Sequence, residues 1–557
     1  MKTLLLVLLT FSVAAQTNLY VNVSAPGGGN GSFASPYNTI QTAINAATPN
    51  SYTIINVRGG TYRENLWIEK SGTSSGYLTI KPYLNEVVRL DGTNQTSKEA
   101  LIIQGSSYVR IEGLIIQNYI ADFAKGIGIY CTNSSTSNIQ IVKNEIYNIN
   151  VTNNSSSCNP LVVYGHSASN AAFYISNILI AENKVHDCNT GWSEGIQVNY
   201  DTRNFEIRSN EVYNITNIGI VAGGFHGGIN RRATNGKILQ NKVYNCKSPF
   251  AIAAGIYIDG AKNVTAERNT VYNCQKGMSI NCEINGKTAE NDTLRNNYVY
   301  LNTRGAFNIG GNAHTSSSGY VINSAIINNS TFQNFNPAIA APGESSPINF
   351  GEITLYYAEN SKVINNIFYA GAYNQLVNAQ YPSTPSGFQM NYNLWFSDVS
   401  LYGESFRYYG CSSGDFNTFK ACSNGPNSLF STPYYQAPAQ GNLNIRCASQ
   451  AINAGSTAVY GGATDYSGTP RVRGTKIDIG ADEFERYKHL SKASGNWLTP
   501  GTWALNLVPL PCDDVVIKSS HKVSLNNGQN ARCKTLETEP NAVLDAPKGA
   551  VLLATPN

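Results

Sequence analysis

A short phrase of alternating apolar and polar residues recurs along the chain. Copies such as NEVYNI, NKVYNC and NTVYNC share an asparagine that precedes a small strand. The intervals between these asparagines cluster near about 28 residues, with longer ones where a loop is inserted. Short alternating strands at such a period, without helical periodicity, predict a solenoid in which each repeat is one coil. The asparagine positions are Asn144, Asn183, Asn210, Asn241, Asn269, Asn297, Asn366 and Asn393.

Each phrase is accompanied by two further alternating strands, one upstream (ISNILIAEN, RNFEIRSN) and one downstream (GIQVNY, GIYIDG, GMSINC). Three strands per repeat predict an all-β, right-handed, single-stranded parallel β-helix with three sheets. Residues of one parity, such as Ile256 and Ile258, then stack inward from coil to coil. We expect the recurring asparagine at a corner, because it tolerates left-handed backbone angles and its side chain can bond the next asparagine.

The ends of the repeat region have different patterns. Residues 36–47 (PYNTIQTAINAA) predict an amphipathic helix that caps the first coil, since an open sheet end invites edge pairing. Residues 465–486 break the period and close the β-helix, which is predicted to span residues 16–486. Residues 492–557 predict a separate small all-β module, and the pattern leaves open whether this module is complete.

The first fifteen residues predict export. A positive start at Lys2 precedes an apolar run, and a small-residue site (VAA) precedes Gln16. This layout is typical of a secretory signal peptide covering residues 1–15, against the alternative of a buried N-terminal helix. No second apolar stretch of spanning length follows, so we expect no membrane span and a secreted, extracellular or outer-surface location.

Composition and charge limit the classes of binding partner that we expect. Only 13% of the residues are charged, and the net charge of +4 is not gathered into basic runs. Nucleic acid is therefore not an expected partner, whereas a polysaccharide, including an anionic one, is permitted. We expect the protein to act as a monomer.

Eleven cysteines fit an oxidising compartment, and their odd number leaves at least one unpaired. Local bridges are expected between Cys411 and Cys422 and between Cys512 and Cys533. Two further cysteines, at positions 246 and 274, occupy equivalent places in successive repeats, which suits a disulfide or a reduced stack; the reduced stack is favoured. No pairing of cysteine and histidine suggests zinc, so no metal site is predicted.

The opening LYVNVSAPGGGNGSFASPYNTIQTAINAA and the following VRGGTYRENLWI resemble the start shared by many exported β-helix proteins of the pectate-lyase superfamily. Residues 252–283 resemble a subgroup that includes the β-helical β-xylosidases among the glycoside hydrolases. This resemblance implies Asp259 as the nucleophile and Glu283 as the general acid/base. Val221 and Ser279 stand where relatives tend to have acidic residues, which could mean a changed substrate or a lost activity.

Near the C-terminus, DIGADEF and the NW…P.TW…DDVVI stretch are similar to anchor-associated modules of Gram-negative surface and secreted proteins. This second resemblance implies a cell-surface attachment through the C-terminal region.

Strand parity places Tyr257 and Asp259 on the outer, solvent-facing side of one coil and Asn281 and Glu283 on the same side of the next. If Ile256 stacks on Ile280, the two acids lie about 4.8 Å apart between strands, which suits the roughly 5–5.5 Å of a retaining mechanism. If the glycines at 255 and 277 align instead, the backbones are offset to about 8 Å, within the inverting range. Both registers are open from sequence, and retention is favoured.

Other residues on this face have side chains that suit a sugar, whose ring faces are apolar and whose edges are hydroxylated. His226 lies in a glycine-rich loop (AGGFHGG) that could fold over the face and transfer a proton or bind a carboxylate. The candidate substrate-binding residues are Tyr257, Asn281, Gln197, Asn199, Tyr200, Trp192, Asn308, His226, Arg231 and Arg232.

Three functions fit this pattern. The first is an extracellular glycoside hydrolase that cleaves a polysaccharide with Asp259 and Glu283 and needs no cofactor. The second is a polysaccharide lyase, which must neutralise a uronate carboxylate with Ca²⁺ or arginine; no cluster of acids suggests a Ca²⁺ cage, which disfavours its calcium-dependent form. The third is a non-catalytic glycan-binding or adhesin-like surface solenoid.

Overall fold

A computed structural model describes residues 16–95, 97–165, 172–311, 319–336, 350–373, 375–379, 383–459 and 461–554. The predicted signal peptide lies outside these residues. Three large sheets of parallel strands run through the described residues, and successive strands of the chain fall in successive sheets. The chain is therefore the right-handed, three-sheet parallel β-helix that the repeat predicts.

The first sheet begins at the N-terminus of the described chain. Its strands are Thr17–Val21, Thr53–Val57, Leu78–Pro82, Ser107–Glu112, Thr136–Val142, Ile175–Ala181, Thr202–Arg208, Thr234–Leu239, Lys262–Glu267, Thr288–Glu290, Thr293–Arg295, Tyr320–Ile322, Ala325–Ile327, Ala358–Glu359, Lys362–Ile364 and Gln389–Asn391.

The second sheet carries the downstream strand of each repeat. Its strands are Leu66–Ile68, Glu99–Gln104, Lys125–Tyr130, Asn159–Gly165, Ile196–Tyr200, Ile220–Gly223, Ala254–Asp259, Lys276–Cys282, Phe307–Gly311, Ile353–Leu355, Val377–Ala379, Phe406–Tyr408 and Cys411–Ser413, the last of which pairs antiparallel.

The third sheet carries the recurring phrase. Its strands are Gly60–Tyr62, Val88–Asp91, Ile115–Gln117, Glu145–Tyr147, Lys184–Cys188, Glu211–Ile215, Lys242–Tyr244, Thr270–Tyr272, Tyr298–Tyr300, Ser330–Phe332, Ile367–Ala370, Leu394–Ser397 and Leu429–Phe430.

The recurring asparagines form a continuous buried ladder at the corner before the third sheet. The backbone N–H and the Nδ2 group of Asn241 both donate to Oδ1 of Asn269, at 2.9 and 3.0 Å, and the same pair of bonds links the coils on either side. Asn329, which the sequence pattern missed, joins Asn297 to Asn366. The ladder confirms the predicted corner.

The physical reason for the ladder differs in one respect from the prediction. The left-handed backbone belongs to the residue before each ladder asparagine, for example Gln240 (φ 55°) and Arg268 (φ 58°). The asparagine itself recurs because of its hydrogen bonds: its side chain pairs backbone groups that the corner would otherwise leave buried and unpaired.

Both ends of the apolar core are covered by a helix. At the N-terminus the helix Ile40–Ala46 confirms the predicted cap, although it is shorter than residues 36–47. It buries Ile40 and Ile44 against the first coils, and the Glu64 carboxylate accepts its first N–H groups. At the other end a helix that the sequence did not predict, Phe416–Cys422, packs Phe419 against the last aromatic core residues.

Residues 465–486 run along the side of the β-helix. The buried Arg471 guanidinium donates to the Glu483 carboxylate, at 2.9 Å, and to backbone carbonyls of the same segment. Asn328 and Asn365, which lie at the corner of the third sheet, bind backbone groups of residues 456–480. The segment therefore closes the repeat region by attaching to a row of corner asparagines. An antiparallel pair, Tyr435–Ala437 and Asn442–Ile445, precedes it, with a short 3-10 turn at Pro438–Gln440.

The C-terminal module is itself built from parallel strands around a small core that includes Trp497 and Trp503. A buried ion pair between Arg446 and Asp513 joins it to the β-helix at 2.7 Å. Its short 3-10 turn is Pro500–Thr502, and its strands are Lys488–Leu490, Asp514–Ile517 and Thr535–Thr538; Gly495–Asn496, Lys522–Ser524 and Val543–Asp545; and Asn530–Cys533 and Val551–Ala554.

The disulfides confirm one predicted bridge and correct the other. Cys411 pairs with Cys422, as expected from their spacing. Cys512 pairs with Cys447, so the prediction of a bridge to Cys533 was wrong, and Cys533 is a reduced residue in the module core. The second bridge ties the module to the β-helix, a long-range contact that local spacing could not reveal. The stack at positions 246 and 274 is buried and reduced, as favoured. In the described part of the chain, no helix is long and apolar enough to cross a membrane.

Candidate active site

A cleft of about 560 Å³ opens on the outer face of the second sheet. Its floor is formed by outward-facing residues of neighbouring strands, and its walls by the loops between coils. Inward residues of the same strands fill the core, so strand alternation decides which central strand residues form the floor, and the loops and strand starts supply the rest of the lining. The lining residues are Trp192, Glu194, Gln197, Asn199, Asn217, Ile218, Val221, His226, Ala251, Ile252, Ala254, Tyr257, Asp259, Lys276, Ser279, Asn281, Glu283, Phe350 and Tyr356.

The register between strands Ala254–Asp259 and Lys276–Cys282 decides between the two predicted arrangements. Ile256 pairs with Met278, and Asp259 pairs with Asn281. The glycines are therefore aligned, and Glu283 lies two residues beyond the partner of Asp259, with backbones about 8 Å apart. The predicted arrangement in which Ile256 stacks on Ile280 was wrong. The geometric reason for favouring a retaining mechanism was based on that arrangement and no longer applies.

Asp259 is the most enclosed acid of the cleft. Its residue is only 2% exposed, so the prediction that it faces solvent was wrong: it does point outward from the strand, but loops cover the outer face here. Its Oδ1 accepts the backbone N–H of Glu283 at 3.0 Å, and its Oδ2 lies 2.8 Å from Nε2 of His226.

Glu283 lies at the rim, where one side touches solvent and the other faces the cleft walls. The partial loss of hydration and the neighbouring Asp259 charge raise its pKa, against the opposing effect of a hydrogen bond from Tyr257. The Tyr257 hydroxyl donates to Oε1 of Glu283 at 2.7 Å and accepts from Nδ2 of Asn281 at 3.2 Å. The pKa of Glu283 is thus raised, whereas Asp259 has two hydrogen-bond donors.

His226 enters the cleft from a short 3-10 turn, His226–Gly228, in the predicted glycine-rich loop. Left-handed angles at Phe225 (φ 67°) and Gly227 (φ 61°) aim the imidazole at Asp259. The hydrogen bond to Asp259 is the largest cause of the raised pKa of His226, and the other cleft carboxylates add to it. The imidazolium and the carboxylate therefore form a charged pair.

The structure brings together most of the predicted substrate-binding residues. Trp192 is 49% exposed and stacks on Phe250 at 4.8 Å, which leaves an aromatic face at the cleft edge. Gln197 and Asn199 lie on the floor, two coils before the strand of Asp259. Two buried polar atoms of the floor, Oγ of Ser279 and Oδ1 of Asn281, have no hydrogen-bond partner and are available to a polar ligand.

Four predicted residues do not line the cleft. Arg232 binds Glu290 and the Thr288 carbonyl, and Arg231 lies in the same segment outside the cleft. Tyr200 packs its ring against Tyr164 on the neighbouring coil. Asn308 is in register with Ser279 but is buried beyond the cleft. Tyr200 and Asn308 were candidates because their coils neighbour the acid pair on the same face, and Arg231 and Arg232 because they closely follow His226. The observed positions and contacts take all four away from the cleft.

Two charged cleft residues escaped the sequence prediction. Each directly precedes a glycine at the start of a strand of the second sheet, at the strand parity of the residues that face the core. Glu194 follows Ser193, whose Oγ hydrogen-bonds its carboxyl at 3.1 Å, and burial raises the pKa of Glu194 to about 7. Lys276 lies opposite Ala254, and burial lowers the pKa of its ammonium to about 8. A charged residue at a strand parity that otherwise faces the core was the signal that could have found them.

Metal binding finds no support in the geometry. Among the residues that the structure describes, no group of three or more histidine, cysteine, aspartate or glutamate side chains is placed to hold a metal ion.

No known family profile matches the chain. It is 27% identical over 261 residues, 44% of its length, to the uncharacterized protein YwoF of Bacillus subtilis (strain 168); the match covers 54% of that protein, so the chain spans about half of this curated relative.

Among solved structures, the complex of XylC with xylose superposes with a TM-score of 0.51 at 12% identity and covers 84% of this chain and 99% of the other. Pectate lyase Pel9A matches with a TM-score of 0.42 at 13% identity, covering 85% and 98%. A GH136 lacto-N-biosidase from Eubacterium ramulus gives 0.40 at 13% identity, covering 68% and 64%. The likeness to XylC shows a shared fold, the parallel β-helix.

Proposed function

We propose that this protein is an extracellular glycoside hydrolase that cleaves a polysaccharide with Asp259 and Glu283. The observation that carries the proposal is the contrast between two carboxyl groups in one cleft. Asp259 is bound by two donors, one of them the raised-pKa His226, whereas the pKa of Glu283 is raised by burial and by Asp259. Glycosidic bond cleavage uses two carboxyl groups in one cleft, one with a raised pKa as the proton donor and one held by hydrogen-bond donors.

The chemistry follows from these preferences. Glu283 donates its proton to the glycosidic oxygen as the bond to the anomeric carbon breaks, so the leaving sugar departs as an alcohol. The Asp259 carboxylate faces the positive charge that develops at that carbon, and water supplies the new hydroxyl either directly or after a covalent intermediate. Tyr257 orients Glu283 by donating to its Oε1. The unpartnered atoms of Ser279 and Asn281 suit sugar hydroxyls.

The sequence resemblance to β-helical β-xylosidases and the fold shared with XylC, whose structure holds xylose, agree with this proposal. Val221 is apolar and stands where relatives tend to have an acidic residue. Glu194, from the preceding coil, lines the same cleft. The cleft therefore contains an acid that the position of Val221 lacks.

A panel of polysaccharides incubated with the purified protein tests the reaction class. New reducing ends without ultraviolet-absorbing unsaturated sugars are expected, together with a loss of roughly 10²–10⁴-fold in Asp259→Asn and in Glu283→Gln. Asp398→Asn, an exposed carboxylate on the third sheet bound to Tyr369, is the matched control and should keep full activity. Wild-type rates in both cleft variants would refute the proposal.

Lys276 supports a second candidate, a polysaccharide lyase. A lysine whose pKa is lowered to about 8 can act as the base that removes the proton beside a uronate carboxylate. Unsaturated products that disappear in Lys276→Met, with and without a chelator, would identify that reaction in place of hydrolysis.

We also infer export, from the signal-peptide pattern of residues 1–15. Sequencing the mature N-terminus of secreted protein should begin at Gln16 or a close neighbour, and intact Met1 in the cytoplasm would contradict this inference.

A further inference from the structure

The cleft contains one cation that the catalytic pair does not use. Lys276 reaches the lining from the start of its strand, whereas Glu283 follows the end of the same strand. Its ammonium makes a contact with the Phe350 ring at 5.8 Å and, among the residues that the structure describes, forms no ion pair or hydrogen bond. A lysine at this depth without an anion is costly, because desolvation favours loss of its charge.

The other charged groups of the cleft leave this cation in excess. Asp259 pairs with His226 at 2.8 Å, so those two charges compensate each other. Burial raises the pKa of Glu194 to about 7, and the pKa of Glu283 is raised as well, so both carboxyl groups carry less negative charge than free ones. Among the described residues neither carboxylate forms an ion pair with Lys276, so its positive charge is left uncompensated. A ligand that completes the site would therefore carry a negative charge.

We propose that Lys276 binds the carboxylate of an acidic sugar, so that the substrate of the proposed hydrolase is a uronic-acid-containing saccharide. This inference rests on the proposed function, which sets the orientation of the saccharide chain in the cleft. The lysine lies at the start of the strand and the catalytic pair at its end, about 16 Å apart along the strand, so the acidic sugar occupies a position further along the groove from the cleaved bond. Phe350 beside the ammonium supplies an apolar surface for a ring face.

Binding is measured with the inactive Glu283→Gln protein, so that ligands stay intact. Matched disaccharides that differ only in oxidation at C6 serve as probes: cellobiose with cellobiouronic acid, and galactobiose with digalacturonic acid. In titration calorimetry at pH 6, one acidic member should bind at least about tenfold more tightly than its neutral partner, because a charge-assisted contact in a cleft is worth that much.

The added substitution Lys276→Met should remove this preference, and Lys276→Arg should restore most of it, since the positive charge returns. Lys242→Met, which removes an exposed lysine paired with Glu211 on the third sheet, is the control and should leave both affinities unchanged. Equal binding of acidic and neutral partners, no binding of any acidic probe, or an acidic preference that survives in Lys276→Met would each overturn the proposal.

The outcome is separable from the proposed function. Glu283-dependent cleavage of a neutral polysaccharide, without acidic preference, would leave the hydrolase standing and overturn this inference. Lys276-dependent binding of an acidic disaccharide without any Glu283-dependent cleavage would do the reverse.

Discussion

Three carboxyl groups share the cleft, and each has a different environment. Asp259 accepts two hydrogen bonds, one from a backbone N–H and one from His226. Glu283 has a raised pKa and accepts from Tyr257. Glu194 has only a side-chain partner from its neighbour Ser193, and burial dominates its pKa of about 7. At the scale of single residues, the site places a carboxylate with two donors beside two acids whose pKa values are raised.

This separation predicts the pH dependence of the reaction. Glu283 must be protonated to donate, so kcat/KM should fall as the pH rises through its raised pKa. Glu194 ionises near pH 7 in the same cleft, and its negative charge holds the proton on Glu283. Replacing Glu194 with Gln removes that charge, so the alkaline fall in kcat/KM should move to lower pH. The measurement is the pH profile of kcat/KM from pH 4 to 9. An alkaline limb that is unchanged in Glu194→Gln would contradict the electrostatic effect of Glu194 on Glu283.

At the scale of elements, the corner asparagines and the strand glycines determine the register that builds the cleft. Each ladder asparagine fixes its coil to the next with two hydrogen bonds, so the strands that follow start at equivalent points. Gly255 packs against the core next to Val271 with no room for a side chain, and Gly277 does the same beside Val299. Aligned glycines therefore set Asp259 opposite Asn281.

The ladder predicts a large local cost when it is interrupted. In Asn241→Ala, the Asn210 N–H and Nδ2 lose their acceptor, and the Ile207 carbonyl loses a donor. Three buried groups without partners should lower the free energy of unfolding by roughly 3 kcal/mol or more. The exposed Asn235, at φ 55°, offers a control: Asn235→Gly keeps the left-handed backbone and should cost below about 1 kcal/mol. Denaturant unfolding of both variants measures the difference, and equal stabilities would refute the structural role of the ladder.

The sequence predicted these elements because their signals are local and repeated. A period near 28 residues and an asparagine per coil were sufficient for the coils, the corner and the outward side of Asp259 and Glu283. Burial of that face was not predictable, because it depends on loops whose direction leaves no periodic signal. Glu194 and Lys276 were missed for a related reason: each has the strand parity of core residues, and only the folded cleft shows where it points.

At the scale of the whole molecule, buried acids along the β-helix make stability depend on pH. Glu352 is fully buried, accepts hydrogen bonds from Asn334 and Thr331, and has a pKa raised by burial from 4.5 to about 7. Glu483, in the segment that closes the repeat region, also has a pKa raised to about 7. Because folding favours their protonated forms, their contribution is full below about pH 4.5 and is lost as the pH rises through about 7.

Glu352→Gln tests this dependence, since the amide imitates the protonated acid. In the wild type, the contribution of Glu352 to the free energy of unfolding should decline by roughly 3 kcal/mol between pH 4.5 and 8. The variant should lose that part of the decline and be the more stable protein at pH 8. The control Glu537→Gln, an exposed residue of the C-terminal module, should follow the wild type. Parallel curves for wild type and Glu352→Gln would contradict the account.

The central claim, that Glu283 is the proton donor and Asp259 its ionised partner, is tested most directly by the leaving group. Aryl glycosides of the preferred sugar, with leaving-group phenols of graded acidity, would be compared in both variants. Glu283→Gln should retain most of its kcat/KM with the most acidic phenols, which need no proton, and lose roughly 10²–10⁴-fold with the least acidic. Asp259→Asn should be impaired with all of them. Equal losses across the series in Glu283→Gln, or wild-type rates in Asp259→Asn, would contradict the assignment.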